Sequence, residues 1–215
     1  MKLDKFVDNT YIINGKQCVG RLKNSVDELK KIDIFQYEIV EAIYPLLIDN
    51  PYIPPSFKGN SGQLGCILSH IKVWEQIKND KSNISLILED DFSVNLSQYV
   101  LHIDNILEDL PSNFDIFYLH NFKNEEKNIY TYESGLLMKE KCPKTTHAYV
   151  LNSNFNILNW FSNLEDVLTN CKCRHHIDIM LKEYVNFNSI FACKQRIFWQ
   201  NRKKFKSHIL KSKRI

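Results

Sequence analysis

The sequence has 215 residues, 44% of them hydrophobic and 25% charged, with a net charge of +3. That length suits one domain with a substantial core, and that balance excludes a disordered chain. No apolar run reaches the roughly 18 residues a spanning helix needs, and the opening Met1-Lys2-Leu3-Asp4-Lys5-Phe6 has no apolar stretch behind it, so a cytoplasmic protein with reduced cysteines is the expectation.

Tyr11 to Asn14 predicts a short buried strand that stops at the turn pair Asn14-Gly15. Apolar residues at Val19, Leu22, Val26, Leu29 and Ile32 have helical spacing, and Phe35 to Ile43 alternates as a second strand. Strand, helix, strand implies a parallel start. The prolines and glycines between Asp49 and Gly62 predict a long loop. Leu64 to Ile77 then reads as a helix with Leu64, Ile67, Leu68, Ile71, Trp74 and Ile77 on one side.

Ile84 to Leu88 is apolar nearly throughout and predicts a central strand, with another from Asp115 to Leu119. An edge hairpin over 121–143, a strand at Ala148 to Leu151, a helix from about Asn154 to Leu168, a short helix from Ile177 to Tyr184 and a last strand at Ser189 to Ala192 complete the order. The alternation predicts an α/β domain over residues 1–201, with a mostly parallel sheet flanked by helices and a ligand site at the carboxyl ends of its strands. From Lys194 onward there are nine Lys and Arg and no Asp or Glu, which leaves −6 on the rest of the chain. Residues 202–215 thus read as a basic tail, either a solvated end or a contact for phosphate, an anionic acceptor or a membrane surface. No nucleic-acid motif accompanies it, and no phosphate-cradling glycine loop is present.

Glu89-Asp90-Asp91 follows the most apolar strand directly. Crowded carboxylates raise one another's pKa, and burial raises them further. A divalent cation such as Mn²⁺ or Mg²⁺ relieves the conflict, since hard cations take carboxylate and phosphate oxygens. Side chains two apart on an extended chain share a face, so Glu89 and Asp91 are the expected metal ligands, with Asp90 turned toward a ribose or a backbone group. A solvated acidic turn is the bland alternative.

Gly62-Gln63-Leu64-Gly65-Cys66-Ile67-Leu68-Ser69-His70, followed by Ile87-Leu88-Glu89-Asp90-Asp91, resembles glycosyltransferase family 25, which includes lipooligosaccharide and procollagen galactosyltransferases. Tyr11 to Asn14 with Arg21, Thr145 to Val150, His176-Ile177-Asp178 and Phe198-Trp199-Gln200 are similar to further family segments, although Gly15-Lys16-Gln17-Cys18 departs from the usual pattern. The resemblance implies a GT-A type fold, a UDP-hexose donor, a divalent metal, inversion at the sugar carbon, and a glycan or collagen-like hydroxylysine acceptor. It assigns donor binding to Asn14, Arg21, Gly65, Ser69, His70, Asp90 and Gln200.

Asp178 is the candidate general base, because inverting transfer needs a carboxylate to take the acceptor proton. Its alternative is an ordinary first-turn aspartate, and Asp115 stands in reserve. Ser69 and His70 could equally serve packing. Cys171, Cys173, His175 and His176 are too tightly spaced for a structural zinc site, whereas His147 or His176 could supply a third ligand to the catalytic metal. Two rival functions share these residues: another metal-dependent α/β enzyme, such as a phosphohydrolase or nucleotidyltransferase, and a non-catalytic carbohydrate-binding relative.

Overall fold

The computed structural model describes residues 2–44, 57, 59–120, 130–131, 135–139, 145–153, 176–178, 181 and 189–205. Most of the proline-rich loop, the helix expected over 154–168 and Cys171 to His175 lie outside them. Four helices, α1 (Leu3–Phe6), α2 (Val19–Lys30), α3 (Ser61–Asp80) and α4 (Leu96–Asp109), and ten strands are described. The strands are β1 (Asn9–Asn14), β2 (Glu38–Glu41), β3 (Ile84–Glu89), β4 (Phe92–Val94), β5 (Ile116–Tyr118), β6 (Tyr130–Thr131), β7 (Leu137–Lys139), β8 (Ala148–Asn152), β9 (Ile190–Cys193) and β10 (Phe198–Gln200).

Eight strands form one sheet in the order β2-β1-β3-β8-β5-β9-β7-β6. The β1-α2-β2 unit is parallel, as its sequence order implies, and β3 pairs parallel on the other side of β1. Six of the eight strands run one way. β7 and β8 run the other way, with β8 wedged antiparallel between β3 and β5. Direction is not encoded in apolar periodicity, so the run Ala148 to Leu151 predicts a strand without predicting which way it points. The outermost pair, β7 and β6, is the expected edge hairpin. β4 and β10 were not anticipated, and they pair antiparallel in a separate two-stranded sheet.

Period-two alternation splits each strand between the two faces. Tyr11, Ile13, Ile87, Tyr149 and Leu151 pack with Leu64, Ile67, Ile71, Trp74 and Ile77 of α3. Ile12, Leu86, Leu88, Phe117 and Val150 pack with Leu3, Leu29, Tyr99, Ile103 and Ile106 of α1, α2 and α4. α4 is also absent from the sequence reading, although Tyr99, Ile103, Ile106 and Leu107 have helical spacing. α3 starts on a reciprocal cap. The Asn60 side chain accepts from Gln63 N at 2.9 Å, and Gln63 Oε1 accepts from Asn60 N at 2.8 Å.

The inward face of α2 departs from its expected apolar stripe. Val19 is exposed, and Asn24, Ser25 and Glu28 are buried beside Leu29. These polar groups hold the backbone that follows β3. Ser25 Oγ donates to Asp90 O at 3.2 Å, Asn24 Nδ2 donates to Phe92 O at 3.3 Å, and Val94 N donates to Glu28 Oε2 at 2.9 Å. Lys31 Nζ holds the other Glu28 oxygen at 2.7 Å.

Glu28→Ala strips the buried Val94 N–H of its acceptor. Urea unfolding should show a loss of about 1–3 kcal/mol with an unchanged m value.

Candidate active site

The carboxyl ends of β1, β3 and β5 share one edge of the sheet with the segment that leads into β8. That edge gathers Asn14, Glu89 to Asp91, His120 and Thr145 to His147. Ala148 pairs with Leu88, and Glu89 N donates to His147 O at 3.0 Å, which fixes the two segments side by side.

Asp90 turns toward β1. Arg21 donates to its Oδ1 at 2.8 Å, and the backbone of Gly15 donates to it as well. Burial raises the Asp90 pKa, and Arg21 and Gly15 hold back part of that rise. A Cβ on Gly15 would meet the Tyr44 hydroxyl, so a larger residue at this turn would have to displace the end of that side chain. Asn14 donates from Nδ2 to Gly15 O at 2.9 Å, and its Oδ1 is buried with no hydrogen-bond partner.

Asp91 turns the other way. Its Oδ2 accepts from Gln200 Nε2 at 2.9 Å and lies 4.0 Å from Arg21, its backbone oxygen accepts from Asn201 N at 2.7 Å, and its Oδ1 is buried with no hydrogen-bond partner. Burial, followed by the charge of Glu89, pushes its pKa from the ordinary 3.8 to about 7. An ionised oxygen with no partner inside a protein is costly, and a cation is the partner this one fits.

Glu89 is held from the α3 side. Thr146 Oγ1 donates to its Oε1 at 2.7 Å, and His70 Nε2 lies 3.4 Å from the same oxygen. Trp74 Nε1 donates to Tyr149 Oη at 2.9 Å, and Tyr149 Oη lies 2.9 Å from His70 Nδ1. Indole is a donor only, so Tyr149 Oη accepts from it and shares a second hydrogen bond with His70 Nδ1, while His70 Nε2 faces Glu89. Burial opposes ionisation of Glu89, yet His70 and Thr146 together hold its pKa below the ordinary range.

The other expected residues divide into two groups. Ser69 donates to Gly65 O at 2.6 Å and accepts from Ile43 N at 2.8 Å, so this pair joins α3 to the end of β2. Asp178 is half-buried in helical backbone, and its charge reaches Cys66 together with the charges of Glu89 and Asp91. Asp115, the reserve base, bonds the Ser189 hydroxyl at the opposite edge of the sheet. His176 pairs with Gln63 at 2.8 Å.

Among the described residues, ligand atoms of Cys66, His70 and Glu89 lie within 4.8 Å of one another, a spacing compatible with a divalent ion. Burial and the neighbouring carboxylates keep the Cys66 thiol protonated, however, and both His70 nitrogens already have partners. The unpartnered oxygen of Asp91 beside Glu89 is the better fit for a hard cation.

The tail boundary expected at residue 202 is not where contact with the body ends. The Arg21 guanidinium lies 5.5 Å from the Phe205 ring centroid, and Lys204 Nζ donates to Asn24 Oδ1 at 2.6 Å. Phe205 therefore packs on the arginine that holds Asp90. Thr146 and Tyr149 enter the sequence reading only within segments between Thr145 and Leu151, without a role, and His120 does not enter it. His120 ends the apolar run of β5 much as Glu89 ends β3, and the same signal would have found it.

The family model of Glycosyltransferase family 25 (LPS biosynthesis protein) matches residues 7–164. Procollagen galactosyltransferases 1-B and 1-A of Xenopus laevis are each 24% identical to this chain, over 128 and 129 residues; each match covers 52% of this chain and 21% of the relative. The chain thus spans about a fifth of the length of these relatives. Two solved structures resemble it with TM-scores of 0.47, too low to bear on its function. One is a glycosyltransferase involved in glycosylation of the major capsid of PBCV-1, at 12% identity with 86% of this chain and 80% of that chain covered. The other is a mannose-1-phosphate geranyltransferase from Thermus thermophilus, at 8% identity with 89% and 75% covered.

Asp91 gives a pH prediction for the metal-free protein. Between about pH 4 and 7 the folded chain keeps a proton on Asp91 that the unfolded chain has lost, so stability falls as pH rises, by at most about 1.4 kcal/mol per unit. Asp91→Asn should flatten that decline, read as the difference between the two proteins in urea unfolding at pH 5 and pH 8 in EDTA. The tail gives a second prediction. A chain ending at Asn201 should be less stable in urea unfolding than one ending at Phe205, by about 0.5–1 kcal/mol, through loss of the Phe205 contact with Arg21.

Proposed function

The chain belongs to glycosyltransferase family 25, and from that membership we propose that it moves a hexose, galactose or glucose, from a UDP-sugar to a glycan or collagen-like hydroxylysine acceptor. The observation that carries this reading is the buried, unpartnered oxygen of Asp91 beside Glu89. Those two carboxylates would hold Mn²⁺ or Mg²⁺, which supplies Lewis acidity toward the departing diphosphate. No helix among the described residues is long and apolar enough to cross a membrane.

The chain's own groups set up the rest. Arg21 and the Gly15 backbone fix Asp90 on the β1 flank, and with Asn14 beside them that flank would take the donor nucleotide. Gln200 orients Asp91, while Thr146 and the Trp74-Tyr149-His70 chain orient Glu89. Ser69 and Gly65 act through the position of α3. Asp178 takes the acceptor hydroxyl proton as the oxygen attacks the anomeric carbon from the face opposite the diphosphate, and the bonding pair leaves with UDP. Support for Asp178 is its field on Cys66, which also feels Glu89 and Asp91.

The test is UDP release from UDP-galactose and UDP-glucose. Release should require Mn²⁺ or Mg²⁺ and vanish in Asp91→Ala, and UDP affinity should fall in EDTA. Asp178→Asn should lower transfer about 10²–10⁴-fold while UDP still binds. Equal UDP affinity with and without metal would remove the cation from this reading.

A further inference from the structure

The two flanks of the β3 edge differ in charge, balanced on the β1 side by the Arg21–Asp90 pair and positive on the β8 side. On the β1 flank stand Asn14, Arg21 and Asp90. On the β8 flank a cavity of about 190 Å³ opens beside Gln200. Its deep wall is His120, His147 and Phe198, each no more than 3% exposed. Its rim is Trp199, Arg196 and Arg202, and both arginines are exposed.

Neither arginine forms an ion pair among the described residues. Arg202 Nε donates to Gln200 Oε1 at 2.7 Å, and Gln200 Nε2 donates to Asp91, so the cavity is wired to the acidic turn through one amide. The imidazoles lie ring against ring, 4.1 Å between centroids, and the Thr145 hydroxyl bonds a nitrogen of each. Burial keeps both neutral, with the His120 pKa down at about 4, and the arginine charges add to that effect. Thr145 and the backbone of Ala148 and Phe198 engage these rings, which therefore form a fixed wall and leave recognition to the rim. The volume lies below the ~300–1,000 Å³ of drug-sized ligand sites and suits one sugar ring. Trp199 offers that ring an apolar face, and two guanidinium forks suit a carboxylate or phosphate.

We propose that this cavity receives the acceptor, and that the acceptor is an acidic saccharide whose terminal ring carries a carboxylate or phosphate facing Arg196 and Arg202. The assignment rests on the donor reading above. A nucleotide on the β1 flank leaves the β8 flank, across Asp91, for the charged ring of the acceptor; Asp178 does not line the cavity, so the attacking hydroxyl belongs to the part of the acceptor that extends out of it.

The probes are glucuronate and glucose 6-phosphate, with glucose as the neutral control, titrated into the full chain by saturation-transfer NMR. Each acidic sugar should bind about tenfold tighter than glucose, the usual worth of one charge-assisted hydrogen bond. Arg196→Gln should erase most of that preference while leaving UDP affinity, measured by calorimetry with Mn²⁺, unchanged. Circular dichroism checks that the variant is folded. Preference for only one acidic sugar identifies the anionic group and supports the proposal. Glucose binding as well as the charged sugars, preference surviving in Arg196→Gln, or no acidic sugar binding at millimolar concentration overturns it. If Arg196→Gln weakens UDP instead, the arginine serves the donor diphosphate and the acceptor assignment falls. If the wild-type chain binds no UDP, the donor reading and the acceptor role fall together, while the sugar titrations, made without nucleotide, still report what the cavity prefers.

Discussion

Three consecutive carboxylates stand at the end of a strand whose neighbours are fully buried, and much of the local structure answers to their repulsion. Each is supplied with a different kind of donor from a different element. Asp90 takes a guanidinium and a backbone amide, Asp91 takes a side-chain amide, and Glu89 takes a hydroxyl and an imidazole. None of these donors is adjacent in sequence to the turn. The polar inner face of α2 belongs to the same arrangement, because the turn backbone cannot shift without breaking bonds to Ser25, Asn24 and Glu28. The arrangement stops one oxygen short, at Asp91 Oδ1. That oxygen is where the cation of the proposed function would sit, since the proton that burial favours on Asp91 is the other way to satisfy it.

Trp74, Tyr149 and His70 form a buried hydrogen-bond chain whose Trp74 end is a donor, because indole has a proton to give and no lone pair to receive one. His70 spans Tyr149 and Glu89 with its two nitrogens. The chain lies in the α3 face of the core, so packing there also sets the orientation of a carboxylate at the edge of the sheet.

Strands were legible because buried strands in this chain are nearly pure apolar runs, and Glu89-Asp90-Asp91 was legible because it interrupts the purest of them. α3 was legible from six apolar positions on one side. Other features followed rules that periodicity does not carry. The direction of β8 depends on its partners, and the buried face of α2 is polar because it meets backbone and not side chains. β4 and β10 are three residues each and exist only as a pair. Arg21, Gln200 and Asp178 came from resemblance. The structure adds contacts for the first two, at Asp90 and Asp91, and for Asp178 a shared neighbour in Cys66. The cavity went unseen because its histidines and arginines come from three separate segments.

The reversed direction of β8 has an architectural consequence. In a wholly parallel sheet a chain leaving the site edge after one strand must travel to the far edge before it can begin the next. Here it leaves at His120, at the end of β5, and returns at Thr145 to the same edge, directly before β8. The two ends of that excursion touch, His120 and His147 lying ring against ring. The segment between supplies β6 and β7 to the sheet, where β7 pairs with β9 and buries Leu137 and Met138. One stretch of chain is thus tied to the mouth of the site at both ends and to the core in its middle, so a change in the packing of β7 can be felt at His120 and Thr145.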